Sequence, residues 1–505
     1  MTGRGMAAVA PLLLMVLLVL SGASPMGAHH RHRERWEEGE GEWRPEEEEG
    51  KGGPGRGLFV LDKVEKVVES EGGQVHVVRG QPWPPAYVAP WQQGGWSTAC
   101  REGLMHIGFI TMEPKTLFVP QYIDSNLILF VQRGEVRVGW VHKAELVEKR
   151  LKMGDVLHMD AGSTFYMVNT GKGQRLQVIC SIDASDSAGF GSPYQSFYLG
   201  GAGKQTSVLG GFDPRILVTA FNTTYEEMAR IFMAKSGGPI VHYTADESGS
   251  EEHGQGDKRD GRDKQGREKE PWRQVGRGDE DERGNELRTW SWRKLMGNFG
   301  GASSNSSAAQ VNKKKSSDKT VRAPEPYNLF DHDPSFRNDH GWSVAIDKHH
   351  YEPLGHSDIG VYLVNLTAGS MMAPHVNPRA TEYGVVLGGE GVIQVVFPNG
   401  TLAMSATVRA GDVFWIPRFF PFAQVASRGG PFEFFGFTTS ARRNRPQFLV
   451  GASSVLRAML GPEIAAGFGV PEEKLREAVK AQEEAVILPS FPEKEPRVIR
   501  QVAKE

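Results

Sequence analysis

The stretch GDVFWIPRFFPF, Gly411 to Phe422, has the form of a small β-barrel strand that leads to a metal ligand. A Gly-Asp turn opens it, an apolar run follows, and Pro417 makes a corner. Phe422 stands where a catalytic histidine would be expected, and a phenyl ring cannot ligate. Other residues fit for chemistry are few. The cluster HHRH (His29 to His32) offers imidazoles, but in a charged, Gly-rich run with no scaffold to fix ligand geometry. Cys100 and Cys180 are the only cysteines, which excludes a disulfide-rich scaffold. A single bridge between them is one reading; a buried Cys180 thiol inside LQVICSI is the preferred one. No Gly-rich phosphate loop, Gly-x-Ser-x-Gly elbow or CxxC spacing occurs.

The elements around these residues follow from length and composition. The chain has 505 residues, 39% hydrophobic and 24% charged, with a net charge of -3. That composition fits two or three domains plus some very polar segments. The near-neutral balance creates no global field for nucleic acid or acidic membranes. Arg4, the apolar run Ala7 to Leu20 and the small residues SGASPMGA read as a secretory signal cleaved after Ala23 or Ala28. An uncleaved anchor is the alternative, although the run is short for a bilayer. The expected division is a signal peptide (1–28), a disordered charged arm (29–56), a first folded region (57–244), a disordered charged linker (245–323), a second folded region (324–490) and a tail (491–505). The linker is where a protease would cut first. Entry to the secretory route makes Asn222, Asn305, Asn365 and Asn399 candidate N-glycosylation sites.

The two folded regions resemble each other. GDVLHMDAGSTFYMVN begins at Gly154 and GDVFWIPRFFPFAQVA at Gly411, 257 residues later. Gly134 pairs with Gly389 at an offset of 255, and Phe197–Gly200 with Phe448–Gly451 at 251. Landmarks in one order with small drifts point to duplication with short insertions. Dense strand–turn–strand patterns such as LILFVQRGEVRVGWV imply an antiparallel sandwich or barrel. Each copy then ends in helices. Thr224 and Glu227 form a capping box, with Met228, Ile231 and Phe232 on one face. In the second copy Pro471 suits a first helical turn, and Leu475 and Val479 line one stripe. These apolar faces must be buried on their own barrel or on a neighbouring molecule, and the pattern favours neither.

Several of these segments together resemble the vicilin (7S globulin) branch of the cupin superfamily. The carriers are the paired GDV elements, YNLFDHDPSFRNDHGWSVAID, SMMAPHVNPRATEYGVVLGGEGVIQVV, FLVGASSVLRAML and VPEEKLREAVKAQ. The resemblance implies a mainly β bicupin: two jelly-roll β-barrels, each with a C-terminal helical extension. It also implies a homotrimer held by those extensions, a closed ring of contacts. Catalytic cupins hold one divalent metal with two histidines, a glutamate and a third histidine. By that resemblance the first copy carries Gln121, Tyr122 and Phe165 at the histidine positions. The second carries His375, then Asn377 in place of the second histidine, Glu382, and Phe422 in place of the third. Metal candidates therefore reduce to His375 and Glu382. His375 reads as a polar residue at the barrel mouth, bonded to Glu382 or to backbone. Phe165 and Phe422 are expected to fill the barrel interiors, each stabilising by roughly 1.5–3 kcal/mol when buried.

The function implied is a non-catalytic seed storage protein, a nutrient reservoir cut by processing proteases. It would reach the protein storage vacuole or, alternatively, the extracellular space, with no nucleic acid and no membrane partner after signal cleavage. No cofactor is expected; a divalent metal such as Cu in the C-terminal barrel is the residual alternative. Two rivals remain, a germin-like metal oxidase and a small-molecule-binding cupin.

Overall fold

Two kinds of strand occur in each half of the chain, and they separate into two kinds of sheet. Strands such as Leu127–Arg133, Asp155–Met159 and Phe432–Thr438 are near-continuous apolar runs buried on both faces. Strands such as Glu145–Leu151 and Leu402–Arg409 alternate exposed with covered residues. Continuous runs belong in a sheet covered on both sides, and alternating ones in a sheet with one face in water. The computed structural model describes residues 57–80, 104–184, 192–203, 207–233, 237–243, 323–442 and 444–489. The signal, the arm, the linker up to residue 322, the tail, Cys100 and Asn305 lie outside the described residues.

The first barrel pairs a seven-stranded sheet with a smaller one, all antiparallel. Across the large sheet the order is Tyr327–Asn328, Asp155–Met159, Leu127–Arg133, Leu176–Asp183, Met105–Met112, Gly73–Val78 and Val64–Ser70. The small sheet is built on Thr116–Ile123, Phe165–Asn169 and Val136–His142. The second barrel repeats this plan. Its large sheet runs Val60–Leu61, Val413–Ile416, Glu382–Gly388, Phe432–Thr438, Gly360–Leu366, Gly341–Ile346 and Phe336–Asn338. The two large sheets meet: Phe130 stacks on Phe435 with ring centroids 3.9 Å apart, and the Met105 amide donates to the Tyr383 hydroxyl at 3.4 Å. This is the bicupin expected from the resemblance.

The paired GDV elements have one local cause in both copies. Gly154 and Gly411 take φ of 90° and 94°, a region open to glycine at little cost. The following aspartate closes the turn. Asp155 Oδ2 accepts the Lys152 amide at 2.7 Å, and Asp412 Oδ2 accepts the Arg409 amide at 2.8 Å.

Each large sheet is completed by the other half of the chain. Val60–Leu61, ahead of the first barrel, pairs with the second barrel's GDV strand (Val60↔Phe414, Leu61↔Val413). Tyr327–Asn328, ahead of the second barrel, pairs with the first barrel's GDV strand (Tyr327↔Val156, Asn328↔Asp155). Phe59 anchors one exchange; it is fully buried, 5.7 Å from the Trp415 ring and 5.7 Å from that of Phe420. Asn328 anchors the other, donating to the Met153 carbonyl at 2.9 Å and Asp155 Oδ1 at 2.8 Å.

Helices follow each barrel. Asp213 caps Pro214–Phe221, and Asn222 ends it in the left-handed region at φ 50°. The Thr224–Glu227 box forms as expected at the start of Tyr225–Met233: the Glu227 amide donates to Thr224 Oγ1 at 3.3 Å, and the Thr224 amide to Glu227 Oε2 at 3.4 Å. The second extension comprises Val455–Ala458, Pro462–Phe468 and Glu472–Lys480, with Pro471 immediately ahead of the last helix. Leu217, Met228 and Leu475 are buried. Ile216, Phe221, Tyr225, Ile231, Met459 and Phe468 are all more than half exposed. Met228 is buried and Ile231 exposed, so the two do not share a buried face.

Candidate functional site

Strand register fixes which residues occupy the interior position in each barrel. Phe165 lies opposite Gln121, and Phe422 opposite His375. Leu127 lies opposite Met159 and Ile182; Glu382 lies opposite Ile416 and Thr438. The equivalent pairs are therefore Gln121/His375, Ile123/Asn377, Leu127/Glu382, Met167/Gln424 and Ile182/Thr438. Tyr122 does not occupy the second motif-one place. Side chains alternate along a strand, so it leaves the interior and stacks on Phe197 at 4.8 Å, while Ile123 points inward.

In the first barrel this set is apolar apart from Gln121. Phe118 and Phe165 meet edge to face at 6.5 Å, and the remaining cavity is about 20 Å³. Phe165 closes this barrel, as the sequence implies. Gln121 is buried, and among the described residues neither of its amide atoms is hydrogen-bonded. The cavity beside it has room for about one water molecule.

The second barrel differs. Phe422 packs on the His375 ring at 4.0 Å but does not fill the interior. A cavity of about 750 Å³ opens beside it, lined by Tyr362, His375, Asn377, Glu382, Gln424 and Thr438, with Arg445 at its mouth. The expectation that phenylalanine plugs both barrels is thus corrected for the C-terminal one. Four apolar residues of the first barrel are replaced by Asn377, Glu382, Gln424 and Thr438; the amides of Asn377 and Gln424 bond to Glu382, and the Thr438 hydroxyl donates to the Ser440 carbonyl at 3.2 Å.

Glu382 is the hub. Its Oε2 accepts Asn377 Nδ2 at 2.8 Å, and its Oε1 accepts Gln424 Nε2 at 3.3 Å. Burial pushes its carboxyl up to about 7; contacts from Tyr362, Asn377 and Gln424 pull the other way. His375 is buried between Phe422 and Phe448 rather than placed at the mouth. Its Nδ1 donates to the Ala373 carbonyl at 2.7 Å, so its bond goes to backbone and not to Glu382. Burial pushes the imidazole down to about 4, the carbonyl acting in the opposite direction. The ring is neutral near pH 7, with Nε2 as its acceptor.

These donors do not fit a cupin metal centre. One imidazole and one half-protonated carboxyl fall short of the three or four ligands such a site requires, and the remaining partners are neutral amides. What the arrangement offers is a chamber with a few convergent hydrogen-bonding groups. The sequence reading found His375 and Glu382 but missed Asn377's hold on Glu382, and it missed Gln424 and Tyr362. Aligning the two copies residue by residue was the available signal.

The remaining sequence candidates are scattered. Cys180 is a buried, unbridged thiol, its pKa raised to about 12 by burial. Asn399 stands exposed on a turn, its side chain accepting from the Thr401 amide and hydroxyl at 3.1 and 2.7 Å. Asn222 is exposed at its helix end. Asn365 is half-buried in a strand paired on both sides.

Two clasped antiparallel barrels with divergent interiors define a bicupin, and comparison with known proteins agrees. The cupin family model matches residues 101–228 and 327–476. A vicilin-like seed storage protein of Arabidopsis thaliana is 46% identical over 452 residues, covering 86% of this chain and 81% of that protein. The crystal structure of hazelnut (Corylus avellana) vicilin superposes with a TM-score of 0.63 at 21% identity, covering 86% of this chain and all of that one. Capsicum annuum vicilin gives 0.62 at 18% identity, covering 87% and 100%. The chain belongs to the vicilin-like branch of the cupin family.

Proposed function

We propose that this protein is a seed storage globulin, a non-catalytic nutrient reservoir laid down in bulk and later hydrolysed. The observation that carries this reading is the donor set. The first barrel is closed by apolar side chains, and the second keeps one imidazole beside a carboxyl that burial holds half-protonated. The role named for its 46% identical Arabidopsis relative supports the same reading. The decisive measurement is abundance: the protein should accumulate through seed maturation and fall on germination. A stoichiometric transition metal in the purified protein, lost on His375→Ala, would overturn the non-catalytic assignment.

A homotrimer is part of this proposal. The exposed apolar residues of the two extensions, Ile216 and Ile231 on one and Met459 and Phe468 on the other, supply faces that an assembly would cover. Sedimentation of wild type against a double Ile216→Asp, Met459→Asp variant tests it, with loss of assembly expected. Delivery through the secretory route to a storage vacuole completes the reading and is checked by immunolocalisation. A second reading, small-molecule carriage, is favoured by the cavity of about 750 Å³ in the C-terminal barrel. Narrowing it with Thr438→Phe should abolish uptake of a small phenolic probe if carriage is the role.

A further inference from the structure

Away from both barrel interiors, one group of side chains has the chemistry of a metal site. We propose that His158, Asp160 and His356 bind a divalent transition-metal ion that staples the two halves of the chain together.

His158 lies on the first barrel's GDV strand, where Leu157 and Met159 point into the core and His158 to the other side. Asp160 follows directly. His356 comes from the short helix Leu354–Ser357, nearly two hundred residues later. One ligand atom from each residue lies within 4.8 Å of the others. His356 Nδ1 stands 3.0 Å from Asp160 Oδ1, and His158 Nδ1 stands 3.8 Å from the same oxygen. Donors around a tetrahedral zinc ion lie about 3.3 Å apart, so small side-chain rotations suffice. On its far side His356 presents Nε2 to Glu352 Oε1 at 4.0 Å. A carboxylate behind the second ring nitrogen is how metal-bound imidazoles are oriented.

A second observation points to a ligand. His158 is 3% exposed, and neither of its ring nitrogens makes a hydrogen bond among the described residues; Nε2 is wholly enclosed. Nδ1, the nitrogen that faces Asp160 at 3.8 Å, is the one left to take an ion or a water. The duplication sharpens the point. At the equivalent places the second copy carries Trp415 and Pro417, neither of which can ligate a metal. Only one side of the pseudo-dyad has kept ligating residues. Two imidazoles and a carboxylate suit Zn²⁺ or Cu²⁺ more than Ca²⁺ or Mg²⁺.

The test is equilibrium dialysis of the chelator-treated full chain against Zn²⁺, with metal quantified in wild type, His356→Ala and Asp160→Asn. His356 and Asp160 are both half-exposed, so neither substitution disturbs the core. Comparing variants with wild type cancels zinc taken up elsewhere, including by the histidines near the N-terminus. Wild type should hold one equivalent more than His356→Ala, and Asp160→Asn should weaken that equivalent at least tenfold. Zinc should raise the unfolding temperature of wild type but not of His356→Ala. Equal zinc content in wild type and His356→Ala, or an equal thermal response, overturns the proposal.

Discussion

Replacing Glu382 with Gln should make the protein more stable above neutral pH and leave it nearly unchanged in acid. Burial raises the Glu382 carboxyl from 4.5 to about 7. A folded value above the unfolded one means that the folded state keeps a proton the unfolded chain releases. The associated stability is complete below about pH 4.5 and is lost as pH rises to about 7. At 1.36 kcal/mol per pH unit the loss amounts to about 3 kcal/mol. Glutamine cannot ionise, so Glu382→Gln escapes that loss. It also fits the site. Its oxygen can accept from Asn377, and its amide can donate to Gln424 after that residue turns its own amide, whose Oε1 has no partner among the described residues. His375, His106 and His158, each pushed down to about 4 by burial, act in the opposite sense. Their contribution is present above about pH 6.5 and is lost as pH falls toward 4, but it is common to both proteins and cancels in the difference. Guanidinium unfolding of both proteins from about pH 4 to pH 8 should show a gap opening from near zero to about 3 kcal/mol. A gap that does not change with pH would mean that Glu382 ionises like an exposed carboxyl, and the account of a buried carboxyl held by neutral amides would fail.

Gln121→Leu in the first barrel removes a buried amide with no partner among the described residues, so thermal unfolding should show it neutral or stabilising, by up to about 1–3 kcal/mol. Phe59→Ala empties the anchor of one strand exchange and should cost about 3–5 kcal/mol, read by chemical denaturation, although Phe59 precedes the first barrel and packs on rings of the second. Glycosidase treatment of protein from the secretory route should find glycan on Asn399 and Asn222, which are exposed, and none on Asn365, held inside a sheet; Asn399→Gln should remove one step of the mobility shift.

The features read correctly in the sequence are those whose causes lie within a few residues. The Gly154–Asp155 and Gly411–Asp412 turns depend on one backbone angle and one side-chain bond three residues back. The Thr224–Glu227 box is equally local. What escaped depends on partners far along the chain. Whether Tyr122 or Ile123 faces inward is set by pairing with Phe165, and a one-residue slip exchanges the two faces. The open second barrel arises from four replacements on four strands, none conspicuous alone. Phe422, the most visible residue of that motif, lies beside the opening and does not decide it.

The reciprocal strands at Val60–Leu61 and Tyr327–Asn328 bear on how such a molecule is dismantled. Each peptide left by a single cut between residues 243 and 323 would still carry a piece of its partner's sheet. Hydrolysis there would separate the chain on a denaturing gel without releasing either fragment in solution, the two reciprocal strands holding the packing together.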